Sequence, residues 1–178
     1  MSVCPLCDFE NIEGTDVCEE CGQPLDDLHL PDPATAVERS LLKDRVGVLN
    51  PKAPIVVPPD MPVLNVLRTL VDRRIGCVLI GSGENLVGVF SERDAVLRLS
   101  REAADDAHRP ISDFMTPNPQ SLRSDAKVAF AVRMMDQGGY RHVPLVDENQ
   151  KATGVISVRD ILRYLTQKMT ESNSRADA

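Results

Sequence analysis

"GVFSERDAVLRL" (88–99) and "GVISVRDILRYL" (154–165) are two writings of one segment. They agree at Gly, Val, Ser, Arg, Asp and the final Leu. Each opens on a short apolar run, as a buried strand does. Each then passes through Ser-x-Arg-Asp into a pattern with helical spacing. Their duplication organises the reading of everything around them.

Sliding the chain on itself by about 65 residues extends the match upstream. Pro54 falls on Pro119, Asp60 on Asp125, Val63 on Val128, Arg68 on Arg133 and Val78 on Val143. One added residue in a turn then brings Ser91, Arg93 and Asp94 onto Ser157, Arg159 and Asp160. Solenoids and propellers need three or more units, so two copies point to a pseudo-two-fold pair. Each copy predicts the order β-α-β-β-α. An extended piece ("APIVV", "NPQSL") leads to Asp60 or Asp125 at an expected N-cap. A helix follows, with Val63, Val66, Leu67, Leu70 and Val71 on one stripe in the first copy, and Val128, Ala131, Val132 and Met135 in the second. Then come a buried strand ("CVLI", "HVPLV"), a polar turn, a second strand, and a helix beginning at the Ser. Ala95, Leu97 and Leu99, or Ile161, Leu162 and Leu165, are the apolar residues of that last helix.

With its linker "ISDFMTPNPQSL", its strand "YRHVPLVD" and its motif "GVISVRD", the stretch from about residue 49 to 167 resembles the CBS domain family. The resemblance implies two repeats packed sheet to sheet as one module, and pairing of modules into a homodimer. The expected class is therefore α/β of the α+β kind. The expected parts are a small N-terminal module (1–25), a linker and connecting helix (26–48), repeat one (49–104), linker plus repeat two (105–167), and a disordered polar tail (168–178).

Two accounts of Ser-x-Arg-Asp stand side by side. Ser at an N-cap with a carboxylate three residues on is a capping box, and helix capping alone explains Ser91, Asp94, Ser157 and Asp160. A cap has no use for Arg93 or Arg159. A helix start with an adjacent guanidinium attracts phosphate, and a carboxylate there can accept both hydroxyls of a ribose. The family resemblance implies an adenine nucleotide (AMP, ADP, ATP or a related ligand), with Asp on ribose and Ser on phosphate. It places the base against Gly76-Cys77-Val78 or Arg141-His142-Val143. Leu79 stands where the second copy has Pro144. Cys77 otherwise reads as a small core residue, and His108 as a solvated linker residue.

Cys4-x-x-Cys7 and Cys18-x-x-Cys21 supply four soft ligands from two tight turns, suiting a closed tetrahedral zinc site; a rubredoxin-like iron site uses similar ligands. Such a site is structural, because it leaves no position open for water. The segment "CPLCDFENIEGTDVCEECGQPL" resembles the short zinc-ribbon family, whose ending Gly22, Pro24 and Leu25 match. Its six acids and absence of Lys and Arg among residues 1–25 oppose nucleic acid and favour a protein partner. Thr35 and Glu38 form a capping-box pattern, predicting a helix to about Arg45 that ends at Gly47. His29 is read as a loop residue.

The 178 residues carry a net charge of -7, four Phe, two Tyr and no Trp. The core must be aliphatic, and a basic face for DNA or anionic membrane is absent. No apolar run reaches the roughly 20 residues that span a bilayer. No Walker loop, GxGxxG, HExxH or nucleophile elbow occurs. The expectation is a cytoplasmic, non-enzymatic regulatory protein that senses a nucleotide. The alternative is a ligand-free dimerising scaffold whose ribbon docks a protein; a DNA-associated regulator ranks behind both.

Overall fold

A computed structural model describes residues 2–4, 9–12, 15–23, 25, 35–82, 85–99 and 103–176. In chain order its elements are β1 (Ser2–Val3), β2 (Glu10–Asn11), α1 (Ala36–Lys43), β3 (Val56–Val57), α2 (Val63–Arg73), β4 (Cys77–Ser82), β5 (Asn85–Ser91), α3 (Glu92–Arg98), α4 (Ala103–Asp106), β6 (Thr116–Pro117), β7 (Leu122–Arg123), α5 (Val128–Gly138), β8 (His142–Val146), β9 (Ala152–Ser157) and α6 (Val158–Ala176). Each copy therefore runs β-α-β-β-α, β3 to α3 and β7 to α6, as the periodicity predicts. Short 3-10 turns occupy Val46–Leu49 and Ile111–Asp113.

The chain divides into two compact units. One gathers Met1–Pro51, Leu122–Arg141 and Ser157–Ala178; the other gathers Lys52–Ser121 and His142–Ile156. In the second unit a sheet of order β3-β4-β5-β6 has β3 parallel to β4 and antiparallel pairing elsewhere. Cys77, Val78, Leu79 and Ile80 are all buried. A strand covered on both faces needs such an uninterrupted apolar run. Val63, Val66 and Leu70 of α2 lock onto Val57, Val78, Ile80, Phe90, Ile111 and Phe114. In the first unit α1 packs against α5 and α6.

One feature of the backbone is absent from the predicted plan. Residues 44–46, ahead of repeat one, pair with 126–128 of repeat two: Val46 N–H donates to the Ala126 carbonyl (2.8 Å) and Val128 N–H to that of Asp44 (2.9 Å). Residues 109–111, ahead of repeat two, pair with 61–63 of repeat one in the same way: Ile111 N–H donates to Met61 (2.9 Å) and Val63 N–H to Arg109 (3.0 Å). Farther on, Lys52 and Val155 exchange two backbone bonds (3.0 and 2.9 Å), while β6 pairs with β5. Each repeat is thus completed by the segment that leads into the other.

Those pairings explain several departures from expectation. Helices α2 and α5 start three residues after Asp60 and Asp125, with Pro62 and Lys127 at the N-cap and no side-chain cap bond. Carbonyls of the exchanged segments take the first helical N–H groups instead of a carboxylate. Helix α1 begins after its Thr35 cap, whose Oγ1 accepts from Glu38 N–H, but it stops at Lys43 and not near Arg45. Asp44 is extended because Val128 N–H binds its carbonyl. Val71, Leu97 and Leu162, expected on apolar stripes, are exposed. The linker before repeat two carries the short α4. The tail expected to be disordered from residue 168 is helical through Ala176. Gln167 reaches Glu171, and Lys168 Nζ lies 3.2 Å from the Asp44 carboxylate, whose other partner is Tyr164 Oη at 2.8 Å. A polar composition hid a helix anchored by tertiary contacts. His29 lies outside the described residues.

Candidate functional site

Both duplicated motifs sit where a strand ends and a helix begins. In the first, Ser91 is the N-cap of α3 and forms a full capping box. Its N–H (2.9 Å) and Oγ–H (2.6 Å) donate to Asp94 Oδ2, while Asp94 N–H donates to Ser91 Oγ (3.3 Å). In the second, Ser157 N–H (2.8 Å) and Oγ–H (2.6 Å) donate to Asp160 Oδ2. One further bond recurs in both. Glu92 N–H donates to the Gly76 carbonyl (3.0 Å), and Val158 N–H donates to that of Arg141 (3.0 Å). The first residue of each helix is thereby fastened to the residue just before β4 or β8, next to the candidate base-contacting strand.

Arg93 and Arg159 are exposed, and neither has a partner among the described residues. Capping consumes Ser and Asp and leaves both arginines available beside a helix start. The outer oxygen of each carboxylate meets another cation that the sequence reading did not single out. Asp94 Oδ1 lies 3.2 Å from Arg98 Nη2, and Asp160 Oδ1 lies 3.1 Å from Arg163 Nη1. The i,i+4 and i,i+3 spacings within one helix were the legible signal.

The expected residues assemble into two groups. Gly76, Cys77, Val78, Ser91, Arg93 and Asp94 belong to one unit, and His142 and Val143 join them there. Arg141, Ser157, Arg159 and Asp160 belong to the other. A Cβ built on Gly76 would meet His142 Nε2 at 2.5 Å, so the second copy's imidazole fills the space a side chain at 76 would need. Cys77 pairs with Ser91 across β4 and β5. Burial, followed by the Asp94 and Glu92 carboxylates, pushes its thiol from an ordinary 9.0 up to about 12. Cys77 is buried, and its surroundings disfavour the thiolate, as in a packed core thiol.

At the N-terminus the sulfurs of Cys4, Cys18 and Cys21 lie within 4.8 Å of one another, with Cys4 and Cys21 3.6 Å apart. Cys7 lies outside the described residues. Cys4 and Cys18 are buried. Gly22, at φ +69°, closes the second knuckle in a conformation that L side chains rarely adopt. The buried Asn11 amide donates to Cys18 Sγ (3.6 Å) and to the Phe9 carbonyl (3.0 Å), and its oxygen accepts from Glu19 N–H (3.0 Å). Gln23 Oε1 accepts from Arg133 of α5, which ties the knuckle to that helix within the first unit. Three clustered soft thiols are a donor set that suits a zinc-type ion. No helix among the described residues is long and apolar enough to cross a membrane.

Comparison with known proteins bears on the repeats. The family model "CBS domain" matches residues 48–101 and 111–167. A 17.7 kDa protein of Acidianus ambivalens is 31% identical over 111 residues, covering 62% of this chain and 66% of its own length. The Arabidopsis thaliana CBS domain-containing protein CBSCBSPB3 is 26% identical over 127 residues, 71% of this chain and 22% of that protein. The chain thus spans only part of the curated relatives it matches. Among solved structures, CBSX2 in complex with AMP superposes with a TM-score of 0.59 at 25% identity, covering 69% of this chain and 96% of that one. With both copies matched and the same fold in the solved structures, this chain belongs to the CBS-domain family.

Proposed function

We propose that this chain is a non-enzymatic regulatory protein in which the CBS pair binds an adenine nucleotide and relays its presence to a partner. AMP, ADP, ATP and related adenosyl compounds all carry the diol and adenine the site would read. The observation that carries the reading is the duplicated helix start. In both copies Ser and Asp are held in place, and an arginine without a partner among the described residues stands beside them. In this reading Asp94 or Asp160 takes the ribose, Ser91 or Ser157 with Arg93 or Arg159 takes the phosphate, and the base lies against Gly76-Cys77-Val78 or Arg141-His142-Val143. The AMP complex of CBSX2 supports the ligand class. Cys4, Cys7, Cys18 and Cys21 hold a structural zinc ion, for which the three clustered thiols argue. The module forms a homodimer in the cytoplasm, and the acidic ribbon meets a protein partner. For this to be regulation, the nucleotide must prefer one conformation over another.

Isothermal titration of the zinc-loaded chain with AMP, ADP, ATP and S-adenosylmethionine tests the reading. Binding of at least one, lost in an Asp94→Ala/Asp160→Ala double variant, is the expected result. No heat with any of the four would sink it. A second reading, a ligand-free scaffold, has its own observation: Ser91 and Asp94 form a complete capping box, and Ser157 donates twice to Asp160, without a ligand. That protein would dimerise normally and bind none of the four.

A further inference from the structure

The two motifs differ in the cation that covers the carboxylate. Asp94 and Asp160 each turn Oδ2 inward to the Ser backbone and hydroxyl, which leaves Oδ1 as the oxygen able to accept a diol. In the first copy Oδ1 belongs to Arg98, and Arg98 is itself anchored. Its Nη1 donates to the carbonyls of Phe114 (2.9 Å) and Met115 (2.6 Å), and its Nη2 donates to Thr116 Oγ1 (2.8 Å). In the second copy Oδ1 belongs to Arg163, whose side chain is 66% exposed and has no other partner among the described residues. To expose Asp94, a ligand must break a guanidinium tied to three further acceptors. To expose Asp160, it needs only to swing aside a solvated side chain whose single anchor is that carboxylate. Asp160 is also the more deeply buried of the two, at 3% against 17%, so hydrogen bonds made to it compete less with water.

We infer that Arg98 and Arg163 set the order in which the two sites fill: Asp160 takes a vicinal diol first, and Arg98 holds Asp94 closed. This rests on the nucleotide reading above. Three additional hydrogen bonds, each of ordinary net strength, separate the two copies by about tenfold or more in affinity. A ligand at Asp94 would also release Arg98 from the 114–116 segment, which an Asp160 ligand leaves in place.

AMP titrated into the zinc-loaded full chain gives one strong event per chain in the wild type, and Asp160→Ala removes it. Arg98→Gln adds a second event of comparable affinity, and Thr116→Val, which cuts one anchor and leaves the charge, strengthens weak binding to a smaller degree. Native mass spectrometry counts the bound AMP in each variant. Two equal events in the wild type, survival of the strong event in Asp160→Ala, or no second event in either Arg98→Gln or Thr116→Val overturns the inference while leaving nucleotide binding standing. No AMP bound by the wild type or any variant overturns both.

Discussion

The two copies of the repeat follow one pattern, and they differ in side chains at matched positions. Position 90 is Phe and its counterpart 156 is Ile, both fully buried. Position 77 is Cys and its counterpart 142 is His, whose ring lies over Gly76 of the first copy. Helix α2 ends on Arg74 at φ 51°, and helix α5 ends on Gly139 at φ 64°. Backbone geometry is common to both copies, whereas side chains were free to diverge. Once they diverged, each copy became a condition on the other. Gly76 must remain small because His142 is large.

The largest effect should come from the strand cores. Phe90→Ala is expected to cost about 3–5 kcal/mol and Ile156→Ala about 2–4 kcal/mol. Urea denaturation checks both, and a near-neutral result at either position would mean that its side chain contributes little to the core. A smaller effect tests the interlock. Gly76→Ala drives a methyl into the His142 ring and should cost about 1–3 kcal/mol. His142→Ala in the same chain should recover most of that loss, which a double-mutant cycle measures. Additive costs would mean that the two positions are independent. The smallest change concerns the helix ends. Arg74 occupies the left-handed region where its counterpart is glycine, so Arg74→Gly should raise stability by about 0.5–1 kcal/mol. Thermal melting would read this, and a loss would mean that the Arg74 side chain makes up for its backbone strain.

Periodicity revealed what was local. The strand and helix order, the two Ser–Asp caps and the buried run at 77–80 all follow from spacing within ten or twenty residues. Polar segments misled. Asp60 and Asp125 look like caps in one dimension, but the helices behind them are capped by carbonyls some 50 or 80 residues away in sequence. The stretch from residue 168 looks like a solvated tail, and only the meeting of Lys168 and Tyr164 with Asp44 shows why it stays helical. Arg98 and Arg163 stood in plain view at helical spacing from the motif Asp. What each binds beyond that carboxylate depends on residues 114–116, which no local pattern brings near.

The exchanged leading segments bear on how this chain can be divided. Residues 44–52 finish the second repeat and residues 109–117 finish the first. A polypeptide cut between the repeats would leave two halves, each carrying a strip that fits the other half and lacking the strip it needs. Such halves have every reason to find one another in solution and little reason to persist alone.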